Sequence, residues 1–238
     1  MGYAGLELDG QVAVVIGGTS GIGQVIACGL AEAGADVIPT SRRAEQVENT
    51  ARRIEALGRR SLRVTSDVTD RASLQGLLNS SVEAFGKVDI MVNAAGRTKR
   101  TPILETEERE WNEILETNLT GALRAGQIFG RHMVDRRYGR IIHIASLGSF
   151  LALYEVAAYS ASKAALASLT RTMAVEWAGS GVCVNAIMPG STAIVEGVTP
   201  VSVRLSPCVS WIVRPDEVRV AWERTAARSS ACVMPGVR

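Results

Sequence analysis

The chain has 238 residues, 47% of them hydrophobic and 21% charged, with a formal net charge of +2. That size suits one α/β domain, or two small ones, with a sizeable buried core. The near-neutral balance removes charge as a reason to expect nucleic acid or an anionic membrane as partner, and no apolar run approaches the ~20 residues that span a bilayer.

Met1 to Gln11 lacks a basic stretch followed by an apolar one, so no secretory signal is expected. Leu6 stands where a myristoylation signal at Gly2 needs Ser or Thr. Cys28, Cys183, Cys208 and Cys232 form neither a metal knuckle nor a C-x-x-C pair, which fits a reduced, cytoplasmic setting. His132 and His143 are too few for a histidine-rich metal site and read as surface or packing residues, so no metal is implied.

Val12–Ile16 is a β-branched run that predicts a first strand. Gly17-Gly18-Thr19-Ser20-Gly21-Ile22-Gly23 follows and opens into a helix over 21–34, with Ile22, Val25, Ile26 and Leu30 at helical spacing. Glycines there let backbone amides approach a pyrophosphate whose charge the helix N-terminus stabilises. Alone such a loop also serves tight turns; the strand before and the helix after point to a nucleotide.

A second strand is predicted over 37–40, a helix over 45–57 ended by Gly58, a third strand over 61–66, a helix over 73–85 and a fourth strand over 88–93. At the end of the second strand, Thr40-Ser41-Arg42-Arg43 carries no acid to hold a ribose 2′-hydroxyl. Arg42 and Arg43 suit a 2′-phosphate, although arginines there could also be solvated surface charges. A helix start disfavours cations, so the pair favours NADP over NAD.

One long helix is predicted over 107–133, a fifth strand over 140–145, another long helix over 157–178 and a sixth strand over 182–188. This alternation implies βαβ units and a mostly parallel sheet. Tyr159 and Lys163 stand four apart near the start of the last helix, hence on one face. An ammonium beside a phenol stabilises the phenolate, so the pair can act as general acid or base. A Tyr/Lys pair on a helix is also a common structural feature. Ser146, just past the fifth strand, sits at a carboxyl end where ligands bind, and its hydroxyl could meet a substrate carbonyl or simply cap a turn.

Taken in order, Gly17-x-x-x-Gly21-x-Gly23, Asp67-Val68, Asn93-Ala94-Ala95-Gly96, Asn118, Ser146, Tyr159-x-x-x-Lys163 and Pro189-Gly190 resemble the short-chain dehydrogenase/reductase family. The resemblance runs from about Leu8 to Gly190, and within the family 146–189 is most similar to the gluconate 5-dehydrogenase and 3-oxoacyl-carrier-protein reductase branch.

The resemblance implies that Tyr159 exchanges a proton with the substrate oxygen, and that Lys163 supports it and holds the nicotinamide ribose. It implies that Ser146 orients the carbonyl or alcohol and that Asn118 supports a proton-relaying water. Thr19, Ser20 and Ile22 belong to the phosphate loop. Ser41, Arg42 and Arg43 border the 2′ position. Asp67 and Val68 would meet the adenine, with Asn93, Ala94, Ala95 and Gly96 beside the adenosine ribose and Pro189, Gly190 and Thr192 near the nicotinamide.

Two departures stand out. Ile16 replaces the usual threonine before the first glycine, and beyond Gly190 the family pattern dissolves, with Ile194 where the nicotinamide-contacting threonine is usual and Thr192 only nearby. The tail to Arg238 reads either as a divergent lid or interface, or as an altered reading frame. The expected fold is therefore a single doubly wound α/β (Rossmann) domain of six to seven strands, mostly parallel, with helices on both faces. Residues 1–190 form its dinucleotide-binding and catalytic part, and 191–238 an atypical C-terminal segment that weakens tetramer packing.

The expected activity is NADP(H)-dependent interconversion of a small-molecule carbonyl and a secondary alcohol, with NAD(H) the less favoured cofactor. The protein is expected to be a homodimer or homotetramer, with no nucleic-acid or membrane partner. The alternative is a chain that binds cofactor yet turns over poorly.

Overall fold

The computed structural model describes residues 7–190. Its sheet has five parallel strands in the order β2-β1-β3-β4-β5: β1 Val12–Ile16, β2 Asp36–Thr40, β3 Ile90–Asn93, β4 Gly139–Ile144 and β5 Val182–Ile187. Alternate strand residues supply two cores. Val14, Ile16, Met91 and Ile141 face one side. They meet α3 (Arg71–Phe85), α5 (Gly121–Asp135) and α6 (Ala157–Trp177), which contribute Leu74, Phe129, Met133 and Met173. Ala13, Val15, Val37 and Val92 face the other side, under α1 (Gly21–Glu32) and α2 (Ala44–Ala56). Apolar side chains on both faces of the strands are what a sheet covered by helices on both sides requires.

The chain steps from β1 outward to β2 and then returns to β3 on the opposite side of β1. The carboxyl ends of β1 and β3 thus flank a topological switch point, where ligands bind in open α/β sheets. The loop from Gly17 and the loop from Asn93 both leave from that point.

Two expectations are corrected. The segment 61–66 is not a strand, which brings the sheet to five strands among the described residues. Pro39 explains the break. The Val37 amide donates outward to the Arg60 carbonyl at 3.1 Å, and in a parallel ladder the amide two residues on faces the same way. At that position proline has none to give. Side chains substitute for part of the ladder: Ser61 Oγ donates to the Val37 carbonyl and Thr40 Oγ1 to the Val64 carbonyl, at 2.8 and 2.7 Å. A seventh strand, had the segment 191–238 supplied one, would lie outside the described residues.

The second correction concerns the long helix expected over 107–133. It is two helices, α4 (Glu108–Leu115) and α5, joined by a π turn at Glu116–Thr120, where the Gly121 amide donates to the Glu116 carbonyl. π turns inside helices gather at functional sites, and this one contains Asn118.

Candidate active site

The glycine loop after β1 is held by its neighbours. The amides of Gly17 and Gly18 donate to the Thr40 carbonyl at 2.8 and 3.2 Å. A Cβ on Gly23 would lie 2.1 Å from the Gly17 carbonyl oxygen, and one on Gly17, where φ is +74°, would lie 2.7 Å from the Ala95 amide. Both positions therefore demand glycine.

Ser20 occupies the N-cap of α1, yet its side chain caps nothing. The first backbone bond of the helix runs from the Gln24 amide to the Ser20 carbonyl, so the amides of Gly21, Ile22 and Gly23 stand ahead of the helix ladder. With no acid in the first turn, this terminus keeps its partial positive charge for an anion. These residues fit a dinucleotide pyrophosphate.

Beside the loop, Thr19 Oγ1 donates to Ser41 Oγ at 2.8 Å and reaches Gln46 Oε1 at 3.3 Å, fixing the end of β2. Arg42 and Arg43 are both exposed there, with Arg43 at the N-cap of α2. Arg42, Thr65, Ser66, Asp67 and Ser73 line a cavity of about 270 Å³. Burial pushes the Asp67 carboxyl up, but hydrogen bonds from the Thr69 amide and hydroxyl, together with the nearby Arg42 charge, outweigh it and hold Asp67 below the ordinary carboxylate range. Val68 is almost wholly buried, with its side chain against Gly121.

The loop after β3 leads to the other end of the cleft. Asn93 is buried, and its Oδ1 accepts from the Ala95 amide, while the Ala94 amide donates back to the Ile16 carbonyl at 2.8 Å. A Cβ on Gly96 would meet Lys163 Nζ at 3.5 Å and Asn118 Oδ1 at 3.6 Å, so Gly96, Asn118 and Lys163 converge on one spot.

Asn118 is fully buried and committed on both sides of its amide. Oδ1 accepts from the Arg97 amide at 2.7 Å, and Nδ2 donates to the Arg97 carbonyl and to Ser162 Oγ, each at 2.9 Å. Ser162 in turn donates to the Tyr159 carbonyl at 2.7 Å. The structure thus adds Arg97 and Ser162 to the expected residues as supports of Asn118. Their contacts reach 21 and 44 residues along the chain, so no local spacing announces them.

Lys163 is 4% exposed and donates to the Ile144 carbonyl at 2.7 Å. Burial pushes its ammonium down to about 8. Its Nζ lies 5.7 Å from the centre of the Tyr159 ring, as the spacing of four predicts. Ser146 is buried at the end of β4, and its Oγ accepts from the Gly148 amide at 3.1 Å. That bond occupies an oxygen lone pair and leaves the O–H free to donate.

Pro189 accepts from the Leu147 amide at 3.1 Å, and Gly190 packs so closely that a Cβ would meet Leu147 at 3.1 Å. Thr192 lies outside the described residues. In the segment that follows Ser146, Leu147, Phe150, Leu153 and Tyr154 are exposed. His143 points into the core with neither ring nitrogen partnered, and burial, aided by the Lys163 charge, pushes its imidazole down to about 4. Among the described residues no cluster of metal-ligating side chains occurs, and no helix is long and apolar enough to cross a membrane.

The chain as a whole is similar to known proteins. A family model described as short chain dehydrogenase matches residues 11–201. The chain is 38% identical to a 2-dehydro-3-deoxy-D-gluconate 5-dehydrogenase of Dickeya dadantii over 79% of its own length and 74% of that protein's. It is 39% identical to a 3-oxoacyl-acyl-carrier-protein reductase of Vibrio cholerae over 78% and 75%. The solved structure of an NAD+-bound xylitol dehydrogenase superposes with a TM-score of 0.77 at 31% identity, covering 79% of this chain and 73% of that one.

Proposed function

Since the chain belongs to the short-chain dehydrogenase family and is an oxidoreductase of that family, we propose that it interconverts a carbonyl and a secondary alcohol, with NADP(H) as cofactor and Tyr159 as general acid and base. The observation that carries the reading is the buried Lys163 ammonium, which is tied to Ile144 and adjoins Tyr159, Asn118 and Gly96.

A nicotinamide, when bound, would be the source or acceptor of the hydride at the substrate carbon. In reduction, Tyr159 donates its phenolic proton to the substrate oxygen, and the Lys163 charge stabilises the phenolate left behind. Ser146, its own oxygen fixed by Gly148, donates a second hydrogen bond to the same substrate oxygen and orients it. Gly17 to Gly23 would hold the pyrophosphate, Asn93 to Gly96 the adenosine ribose, and Pro189 and Gly190 the nicotinamide end. Asn118 keeps the Arg97 loop against α6 beneath Lys163.

The family uses either nicotinamide dinucleotide, and the xylitol dehydrogenase named above carries NAD+. The preference for NADP here rests on Arg42 and Arg43 at the end of β2, where no acid is available to a ribose 2′-hydroxyl. The exposed apolar side chains of Leu147, Phe150, Leu153 and Tyr154, close along the chain to Ser146, favour a small substrate with an apolar portion. A homodimer or homotetramer is proposed on the two long helical stretches, α4–α5 and α6, which sedimentation would test.

The test is a panel of small ketones and keto acids, followed by loss of NADPH absorbance, with NADH in parallel. Turnover that requires Tyr159 and prefers NADPH supports the reading. Tight NADPH binding without turnover on any member supports instead a chain that binds cofactor but is catalytically weak.

A further inference from the structure

The π turn that carries Asn118 is shaped from the adenosine side of the cleft. Arg124, in the first turn of the following helix, reaches back across the π turn to Glu116 Oε1 at 2.5 Å, and the same Nη1 reaches the Val68 carbonyl at 3.5 Å. Gly121 closes the contact. Its φ of −61° is ordinary for a helix, but a Cβ there would fall 2.9 Å from Val68 Cβ and Cγ2. Glycine is thus needed for the approach and not for the backbone angle. A second tie runs parallel, from Arg71 Nη2 to Gln127 Oε1 at 2.7 Å. Asp67, beside Val68, is held by the amide and hydroxyl of Thr69.

A π turn competes with the regular helix, and passing from one to the other rotates whatever the turn carries. Here it carries a fully buried asparagine whose amide has all its bonds in one arrangement.

We propose that Arg124 is a positioning residue: through Val68 and the Glu116–Thr120 π turn, it couples occupation of the adenosine end of the cleft to the placement of Asn118. The proposal rests on the reading that the cofactor adenosine lies along Asp67 and Val68 and that Asn118 serves the catalytic group. Ligand on Asp67 and Val68 stiffens the loop that carries them, Gly121 and Arg124 pass that restraint to the turn, and the turn holds Asn118 in register with Lys163. Coupling of this kind needs contacts that differ between two states, and those of Arg124 Nη1 to Glu116 and to the Val68 carbonyl are the ones expected to change.

Hydrogen exchange of the full chain, with and without 2′,5′-ADP as an adenosine-half probe, tests it. In the wild type the probe slows exchange at 17–23 and 67–69 and also, by about fivefold or more, at 116–124. In Arg124→Met the probe still protects the first two segments, while 116–124 exchanges as in the free protein. Gly121→Ala strikes the same contact from the other side and remains helix-compatible; it also loses protection of the turn. In turnover, Arg124→Met lowers kcat about tenfold while its melting temperature stays within a few degrees of wild type. Protection at 17–23 and 67–69 without protection of the turn in the wild type overturns the coupling and leaves the cofactor reading standing. Equal protection of the turn in wild type and Arg124→Met overturns it as well. A probe that protects no segment sinks the coupling and the cofactor reading together.

Discussion

Lys163 Nζ lies 2.7 Å from the carbonyl oxygen of Ile144, at the end of the strand that delivers Ser146. One hydrogen bond to a neutral carbonyl does not replace the hydration of an ammonium that is 4% exposed. The protein therefore holds a charge that its own stability disfavours, which is common where a site is shaped for a ligand.

Replacing that residue separates stability from activity. The folded-state value of about 8 lies below the ordinary 10.5, so between them the unfolded chain binds more protons and stability rises with pH. Below pH 8 the full penalty is present, of the order of 3 kcal/mol before the Ile144 bond offsets part of it. Lys163→Met is expected to melt several degrees higher than wild type at pH 7 and to lose about 10²-fold or more in kcat. Calorimetry beside turnover checks both; a variant less stable than wild type at pH 7 contradicts the penalty.

His143 gives a pH signature of its own. Its imidazole sits at about 4 against an ordinary 6.5, so the unfolded chain takes up a proton first as the medium is acidified. The resulting loss of stability begins near pH 6.5, steepens to about 1.4 kcal/mol per pH unit, and ends near pH 4. His143→Leu removes this component. Urea unfolding at pH 7, 6 and 5 should show the variant gaining on wild type at each step down, and a gap that is constant across pH would refute the assignment.

Cofactor choice turns on the end of β2. Arg42→Ala combined with Arg43→Ala is expected to raise KM for NADPH about 10- to 100-fold, the loss of one or two charge-assisted hydrogen bonds. KM for NADH should change little. Parallel kinetics decide it: an equal rise for both cofactors, or a wild type that already prefers NADH, removes the 2′-phosphate role of the arginines.

Much of this architecture is legible in the sequence. The strands at 12–16 and 37–40 announce themselves as β-branched runs, and the glycine loop stands between a strand and a helix as predicted. Asn118, Ser146, Tyr159 and Lys163 are recognisable as an ordered set. What the sequence hides is non-local. Pro39 is visible in it, but its effect on 61–66 depends on which way Val37 faces, and a run of residues does not state that. The π turn contains no proline, and Gly121, which ends it, packs against Val68, 53 positions earlier in the chain. Ser162 and Arg97 look like ordinary neighbours of motif residues until Asn118 is seen between them. Thr192 and the rest of the segment 191–238 lie outside the described residues.

In the proposed reaction Tyr159 moves the proton while the rest of the site holds the cofactor. The direct measurement compares Tyr159→Phe with wild type in both NADPH binding, by fluorescence titration, and single-turnover reduction of the best ketone in the panel. Binding within about twofold of wild type is expected, with a turnover rate lower by about 10²-fold or more. Turnover in Tyr159→Phe within about tenfold of wild type, at unchanged cofactor binding, would contradict it.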